Sequence, residues 1–252
     1  MALPASAAAD GLEAELRPLG TRERAEGEKR YLKSDLDFLG VPMSGIRSVT
    51  KAFAEQHPDI ARDDLVALVE ALWAKTVFER RMTAAMLLEK YVGSLEPDDL
   101  RLIERLIRES KTWALVDVLS GDVVGTMVLR NSNVATRLDA WAKDEDLWVR
   151  RSALLAHLLP LRKGASFRRF ASYADAMLDE KEFFIRKAIG WVLRETAKRR
   201  PDEVYTWLAP RTHRASGVTM REAVKYLDDA RKKELMTAFR ERRPASLGRS
   251  PT

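Results

Sequence analysis

Hydrophobic residues recur along most of this chain at the spacing of an α-helix. Leu65, Leu68, Val69 and Leu72 stand at positions i, i+3, i+4 and i+7 behind two aspartates, which indicates one apolar helix face after an acidic first turn. The same stripe follows Pro97. Further helices are predicted near residues 147–159, 166–178, 181–199, 202–208, 219–229 and 231–242. No run of alternating apolar and polar residues with hairpin turns is present, so no strand is predicted.

Two polar residues are predicted to start helices. Asp122 follows a Ser-Gly pair, and Asn133 precedes the apolar stripe of Val134, Leu138 and Trp141. Aspartate and asparagine at these places are typical N-caps, because their side chains accept hydrogen bonds from free backbone N–H groups.

Many short amphipathic helices joined by short loops fit either a bundle or an α-solenoid. The helix pairs are spaced at roughly the 40–47 residues of HEAT-like units. The prediction is an all-α protein, an α-solenoid of about six HEAT-like helical repeats, curved with a basic concave face. Residues 1–241 are expected to form a single repeat domain, and residues 242–252 a basic, disordered tail.

The amino-acid composition excludes several kinds of catalytic and metal site. The 252 residues include no cysteine, which excludes disulfides, thiolate nucleophiles and cysteine-ligated zinc. His57, His157 and His213 are far apart and in no metal-ligand spacing, so neither a metal nor another cofactor is predicted. The start lacks the pattern of a signal peptide, and no apolar run is long enough to span a bilayer. We therefore expect a cytoplasmic protein with no membrane partner, nucleoid-associated when bound to DNA.

The net charge of +6 is unevenly distributed. Residues 1–146 hold 20 Lys and Arg against 26 Asp and Glu, whereas residues 147–252 hold 24 against 12. A basic half of this kind indicates a polyanionic partner. The alternative is a codon bias towards arginine combined with a basic tail.

Asp117 is the residue whose surroundings most need an explanation. It lies between two valines in an apolar run, where an ionised carboxylate is costly unless it is paired. Trp113, four residues earlier, shares its helix face, and an aromatic ring beside a carboxylate forms a possible cation site. The alternatives are a buried acid salt-bridged to an arginine, or an exposed acid beside a half-buried tryptophan.

Two further clusters are open to two interpretations each. Trp148 and Arg151, three residues apart, could form a phosphate clamp, or could be a core tryptophan and a solvated arginine. Gly190 before Trp191 indicates close approach by a ligand or by another backbone, since glycine destabilises a helix interior. The alternative is a core tryptophan with a glycine that allows tight helix packing.

At these clusters the chain resembles a known family, the AlkD-like DNA alkylation-repair glycosylases built of HEAT-like helical repeats. The matching segments run from about residue 31 to residue 229. They are Tyr-Leu-Lys at 31–33 with Asp-Phe-Leu-Gly at 37–40, Thr-Trp-x-x-Val-Asp at 112–117, Leu-Trp-Val-Arg-Arg at 147–151, Lys-Ala-Ile-Gly-Trp-Val-Leu-Arg-Glu at 187–195 with Ala-Lys-x-x-Pro-Asp at 197–202, and Arg-Glu-Ala-Val-Lys at 221–225.

The resemblance implies roles for individual residues, as follows: Asp117 as the catalytic carboxylate, Trp113 and Trp191 as aromatic walls, Tyr31 as a further residue near the lesion, Arg151 as a partner of the DNA backbone, and Trp148, Lys187 and Arg194 as further DNA-binding residues. The chain departs from the family in one place. The family often has two adjacent tryptophans followed by an acid, whereas here Trp113 stands alone before Ala114 and Leu115.

The chemistry agrees with this resemblance. Cleavage of an N-glycosidic bond builds positive charge on the sugar, which a fixed carboxylate stabilises. A purine alkylated at N3 or N7, as in 3-methyladenine or 7-methylguanine, is already cationic and leaves without protonation. We therefore expect a monomeric, monofunctional DNA glycosylase, without lyase activity, that acts in base excision repair on alkylated purines in duplex DNA. The alternatives are a non-enzymatic HEAT-like protein that binds damaged or branched DNA, and a protein-interaction solenoid.

Overall fold

A computed structural model describes residues 3–241, and nearly all of the regular structure in that range is helical. The tail predicted at 242–252 lies outside the described residues. The α-helices are α1 Ala5–Leu16, α2 Arg22–Leu32, α3 Met43–Gln56, α4 Arg62–Trp73, α5 Phe78–Lys90, α6 Leu100–Glu109, α7 Trp113–Asp117, α8 Gly125–Arg130, α9 Ser132–Trp141, α10 Leu147–Leu155, α11 Leu158–Arg162, α12 Arg168–Ala176, α13 Phe183–Ala197, α14 Pro201–Leu208, α15 Gly217–Ala223 and α16 Asp229–Glu241. Short 3-10 segments extend several of them, and a π-helix, Val118–Val124, joins α7 to α8.

The chain divides into two compact units, one ending at Ser152 and the other starting at Ala153. In the first unit, α5 packs against α3, α4 and the π-helix. In the second, α13 packs against α11, α14 and α15. The apolar stripe predicted for α4 is buried, with Leu65, Leu68, Val69 and Leu72 fully enclosed. The all-α, helical-repeat prediction is therefore confirmed, while the single domain, the curvature and the basic concave face remain predictions.

Ion pairs recur between residues about 36 positions apart. In the first unit Arg105 binds Glu70 and Arg108 binds Asp144, at separations of 35 and 36 residues. In the second unit Arg211 binds Asp175, again 36 residues away. Separations of this size are expected when neighbouring repeats touch.

The segment after α2 is fastened to α5 by a buried carboxylate. Glu79, fully buried, accepts hydrogen bonds from the backbone N–H groups of Leu39, Gly40 and Val41 at 2.9, 2.7 and 3.1 Å. Gly40 has φ +76°, and a Cβ there would lie 2.1 Å from the carbonyl oxygen of Thr21. Glycine is required at this turn, which holds α2 beside the start of α5.

Three local predictions were wrong. The helix predicted over 147–159 is two helices. Pro160 has no N–H to donate to the carbonyl of Ala156, and its ring clashes with that carbonyl. Asp122 does not start a helix but lies inside the π-helix. Asn131, not Asn133, caps α9, and its side chain accepts the N–H of Asn133 at 2.9 Å.

Strands are absent from residues 3–241, apart from one isolated bridge between Asp37 and Val77. In the same range, no helix combines the length and the apolar character needed to cross a bilayer.

Candidate active site

Asp117 and Arg151 form a two-pronged ion pair inside the first unit. Arg151 donates from Nε to Asp117 Oδ1 at 2.9 Å and from Nη2 to Oδ2 at 3.0 Å. The guanidinium side chain is 3% exposed, whereas the carboxylate side chain is 15% exposed. The arginine therefore lies on the buried side of the pair, and the carboxylate keeps an open edge.

The electrostatics of this pair are set by burial. Desolvation raises the pKa of Asp117 above the ordinary value for an aspartate, and the charge and hydrogen bonds of Arg151 oppose that rise. Asp122 adds a smaller repulsion in the same direction as burial. Arg151 is therefore the group that favours the ionised form of Asp117.

Local helix structure fixes where Asp117 lies. Thr112 caps the start of α7, and its hydroxyl accepts the N–H of Ala114 at 3.4 Å. Asp117 is the last residue of α7, directly before the π-helix. A π-helix inserts extra residues per turn and often lies at functional sites, so the residues after Asp117 continue on a different helical face.

Aromatic rings border the same face. Trp113, one helical turn before Asp117, is partly buried, and Tyr31 from α2 meets it edge-to-face with ring centroids 5.9 Å apart. Tyr31 is 72% exposed. The structure thus brings four of the predicted site residues, Asp117, Arg151, Trp113 and Tyr31, into one region of the first unit.

Trp148 and Arg151 do not behave alike, although both lie on α10. Trp148 is partly exposed, whereas Arg151 is buried against Asp117. For Asp117, the alternative observed is therefore a buried acid salt-bridged to an arginine. A role for Arg151 at the DNA backbone remains a prediction.

In the second unit, Lys187 and Arg194 of α13 share one acceptor that the sequence reasoning missed. Lys187 Nζ lies 2.7 Å from Glu222 Oε1, Arg194 binds the other oxygen, and Lys225 approaches at 3.0 Å. Burial disfavours the charged form of Glu222, but these hydrogen bonds and charges outweigh it and lower its pKa to about 2. Arg194 also contacts Glu195 at 3.2 Å. Three cations against two carboxylates leave a net positive cluster, in which Lys187 is 41% exposed and Glu222 only 9%.

Trp191 lies on α13 and is partly exposed, so it is not a core tryptophan. The glycine before it is explained by packing. A Cβ on Gly190 would lie 2.8 Å from the Cβ of Glu222 and 3.1 Å from the carbonyl oxygen of Thr219. Gly190 therefore allows the backbone of α15 to approach α13 closely, as one interpretation of the sequence expected, whereas the core position of Trp191 in the other interpretation is wrong.

The residues described from 3 to 241 contain no group of three or more histidine or carboxylate side chains positioned to hold a metal ion. A carboxylate with an open edge, a buried arginine behind it, and a partly buried tryptophan one turn before it that contacts an exposed tyrosine form a site suited to stabilising positive charge.

The fold and this site define an all-helical repeat protein, and comparison with known proteins narrows the class. Residues 12–227 match the model of a family described as DNA alkylation repair enzyme. The chain belongs to that family, and the family implies an enzyme that repairs alkylated DNA and binds DNA.

Solved structures share the fold. A protein from Enterococcus faecalis, described as a predicted DNA alkylation repair enzyme, is 24% identical with a TM-score of 0.76, covering 83% of this chain and 97% of that one. AlkD2 from Streptococcus mutans is 16% identical with a TM-score of 0.60, covering 81% of this chain and 99% of its own. No curated protein sequence matches the chain significantly.

Proposed function

We propose that the protein is a monofunctional DNA glycosylase that hydrolyses the N-glycosidic bond of cationic N3- or N7-alkylated purines in duplex DNA. Asp117 is the catalytic carboxylate in this proposal, and it stabilises the positive charge that develops on the deoxyribose. Family membership supports repair of alkylated DNA, and the ion pair between Asp117 and Arg151 supports the choice of reaction.

The unequal exposure of that pair is the observation on which the proposal rests. A neutral ion pair acts on its surroundings as a dipole, and the nearer charge dominates at short range. Because Arg151 is 3% exposed and Asp117 15%, a sugar at the open edge meets the negative end first. Arg151 also holds the carboxylate in one orientation, so that little reorganisation is needed as charge develops.

The proposed reaction needs no acid. The bond between C1′ and the purine nitrogen breaks, and its electron pair moves to the ring, which loses its positive charge. The resulting oxocarbenium-like sugar is stabilised by Asp117, as carboxylates do in sugar hydrolysis. Water then adds to C1′ and releases a proton. Arg151, the residue in contact with Asp117, cannot form a Schiff base, so we propose hydrolysis without a lyase step.

Other residues are assigned to binding. The electron-rich faces of Trp113 and Tyr31 suit a cationic nucleotide. Trp191, in the second unit, is proposed separately as an aromatic contact to DNA. Trp148 and the partly exposed cations Lys187 and Arg194 are proposed to contact the DNA backbone, since each backbone contact made by a cation adds a salt-dependent share of affinity. We propose that the protein works as a cytoplasmic monomer.

Base release from methylated duplex DNA tests the proposal. The wild type should release 7-methylguanine or 3-methyladenine, and Asp117→Asn should slow single-turnover release by about 10²- to 10³-fold while DNA binding persists. Asp59→Asn, a matched change at an exposed aspartate, should leave the rate unchanged. Retained binding without release by the wild type would instead favour a non-enzymatic protein that recognises damaged or branched DNA.

A further inference from the structure

Two residues other than glycine have a positive φ within residues 3–241, and both are lysines. Lys33 has φ +49° and ψ 45°, and Lys111 has φ +56°. This left-handed region is unfavourable for residues that carry a Cβ, and glycine or asparagine is the usual choice there. Strained backbone of this kind clusters at functional sites, so the lysine at both positions needs an explanation.

The backbone conformation has a local cause at each position. Lys33 ends α2, and its backbone N–H donates to the carbonyl of Lys29 at 3.0 Å, as in an ordinary left-handed helix end. Lys111 links Ser110, at the end of α6, to Thr112, which caps α7. Glycine would form both turns with less strain. The turns therefore explain the left-handed backbone but not the choice of lysine.

Both lysines hold an exposed side chain on a fixed part of the backbone. Ser110 and Thr112 on either side of Lys111 are buried, and so is Ser34 directly after Lys33. Within residues 3–241, neither lysine side chain forms a hydrogen bond or an ion pair, although both are exposed. An ammonium group that no described residue pairs is available to an external anion, and lysine is a common ligand of phosphate.

Each lysine stands two residues from an aromatic ring of the candidate active site. Lys33 follows Tyr31, and Lys111 precedes Trp113. Two residues span at most about 7 Å of chain, so each lysine Cα lies within that distance of the Cα of its aromatic neighbour. The two rings meet with centroids 5.9 Å apart. This contact brings two unpaired cations into one region of the first unit, one beside each ring.

We propose that Lys33 and Lys111 are positioning residues, each of which binds one phosphate of the DNA strand that carries the damaged nucleotide. The place of that nucleotide at Tyr31 and Trp113 rests on the proposed function, whereas DNA binding itself follows from the family. Contacts to phosphates fix the register of a protein on a duplex without reading its sequence. Two such contacts beside the rings set which nucleotide faces them, and they require no pocket for its base.

The salt dependence of binding tests the proposal. The probe is a duplex with one tetrahydrofuran abasic nucleotide, which has no glycosidic bond to cleave. Each phosphate bound by a cation adds about 0.9 to the magnitude of the slope of log affinity against log salt concentration. Lys33→Gln and Lys111→Gln should each reduce that slope by about 0.9, and the double variant by about 1.8. Lys51→Gln removes the same charge from a lysine of α3 that pairs with Glu55 at 3.6 Å, and it should leave the slope unchanged.

Glycine variants separate DNA binding from folding. Lys33→Gly and Lys111→Gly remove the same ammonium groups and also relieve the left-handed strain. They should keep or raise the melting temperature, while they reduce the slope as the glutamine variants do. Lys51→Gly, in the interior of α3, should instead lower the melting temperature. A purely structural role for the two lysines predicts the opposite result at Lys33 and Lys111, a lower melting temperature with an unchanged slope.

Neutral phosphate analogues locate the two contacts. A methylphosphonate removes the charge of one phosphate, and the wild type should bind more weakly when it replaces a phosphate that a cation contacts. On the strand of the abasic nucleotide, the effect at one position should vanish in Lys33→Gln, and the effect at another in Lys111→Gln. Methylphosphonate effects that are the same in the wild type and in both variants would overturn the proposal, as would unchanged slopes.

These outcomes are independent of the glycosylase proposal, because no experiment among them measures base release. Reduced slopes support the two contacts even if the wild type releases no base, in which case the glycosylase proposal fails alone. Unchanged slopes overturn the two contacts even if the wild type is an active glycosylase.

Discussion

Ser120 and Ser152 meet in a buried hydroxyl–hydroxyl hydrogen bond of 2.6 Å that joins the π-helix following Asp117 to α10, the helix of Arg151. Ser120 stands three residues after Asp117, and Ser152 directly follows Arg151. Each hydroxyl also lies within hydrogen-bond distance of the carbonyl four residues earlier. Because each hydroxyl has one proton, two of these three contacts can be occupied at a time.

Changing either serine to alanine should therefore lower the free energy of unfolding only a little. Changing both should lower it by less than the sum of the two single effects. Ser120→Ala and Ser152→Ala are each expected to lower the free energy of unfolding by about 1 kcal/mol, because one of the two occupied hydrogen bonds is lost and the other is kept. Each single variant also loses the mutual polarisation of the two hydroxyls, a contribution that the double variant loses only once. Urea unfolding of the two single variants and the double variant measures the coupling between them. Ser48→Ala, at an exposed position of α3, should have almost no effect. Strictly additive costs would show that the two hydroxyls do not interact.

Removing the arginine partner of Asp117 should change both the pH profile and the stability. The proposed reaction needs the ionised carboxylate, so the rate of base release should fall as the pH drops through the pKa of Asp117. Burial raises that pKa and Arg151 opposes the rise. Arg151→Met should accordingly move the acid limb of the single-turnover profile to higher pH. It should also destabilise the protein by about 3 kcal/mol, because a buried charge is left without its partner.

The double variant Asp117→Asn, Arg151→Met provides the control for that experiment. It should recover much of the stability lost in Arg151→Met, since the uncompensated carboxylate is gone, yet remain inactive. If Arg151→Met left the acid limb in place, the arginine would not set the charge state of Asp117.

Glu222 should stabilise the second unit within a defined pH window. Its pKa is lowered from the ordinary value for a glutamate to about 2, so its contribution is full above about pH 4.5 and is lost as the pH falls towards 2. Glu222→Gln should therefore cost up to about 3 kcal/mol at neutral pH and progressively less in acid. Unfolding by urea at a series of pH values measures this difference. Glu203→Gln, at an exposed pair with Arg200, should show almost none of it, and a cost independent of pH would contradict the prediction.

Elements that depend on neighbouring residues could be predicted from the sequence, whereas elements that depend on contacts between distant residues could not. Helices such as α4 and α13 follow from local apolar periodicity. The break before α11 was also foreseeable, because Pro160 disables the carbonyl of Ala156. The π-helix after Asp117 was not, since its hydrogen-bond register is decided by tertiary packing.

The partners of the site residues show the same limit. Asp117 and Arg151 are 34 residues apart, and Lys187 and Glu222 are 35 apart. Both separations are close to the 35 and 36 residues of the pairs Arg105–Glu70 and Arg108–Asp144, so an acid about one repeat after Lys187 was a candidate partner.

Gly190 provides a final test of how α13 is held against α15. Alanine normally stabilises a helix interior relative to glycine by about 1 kcal/mol. At Gly190 the new Cβ would lie 2.8 Å from the Cβ of Glu222, so α15 must shift, and overpacking of this kind costs about 1–3 kcal/mol. Gly190→Ala should therefore lower the melting temperature, whereas Gly11→Ala, where nothing lies within 4 Å, should raise it. A shift of α15 would also move Glu222 away from Lys187 and Arg194, the cations that it holds in place. Gly190→Ala should therefore also weaken binding to undamaged duplex DNA. A stabilised Gly190→Ala variant with unchanged DNA affinity would mean that the two helices are not packed as closely as described.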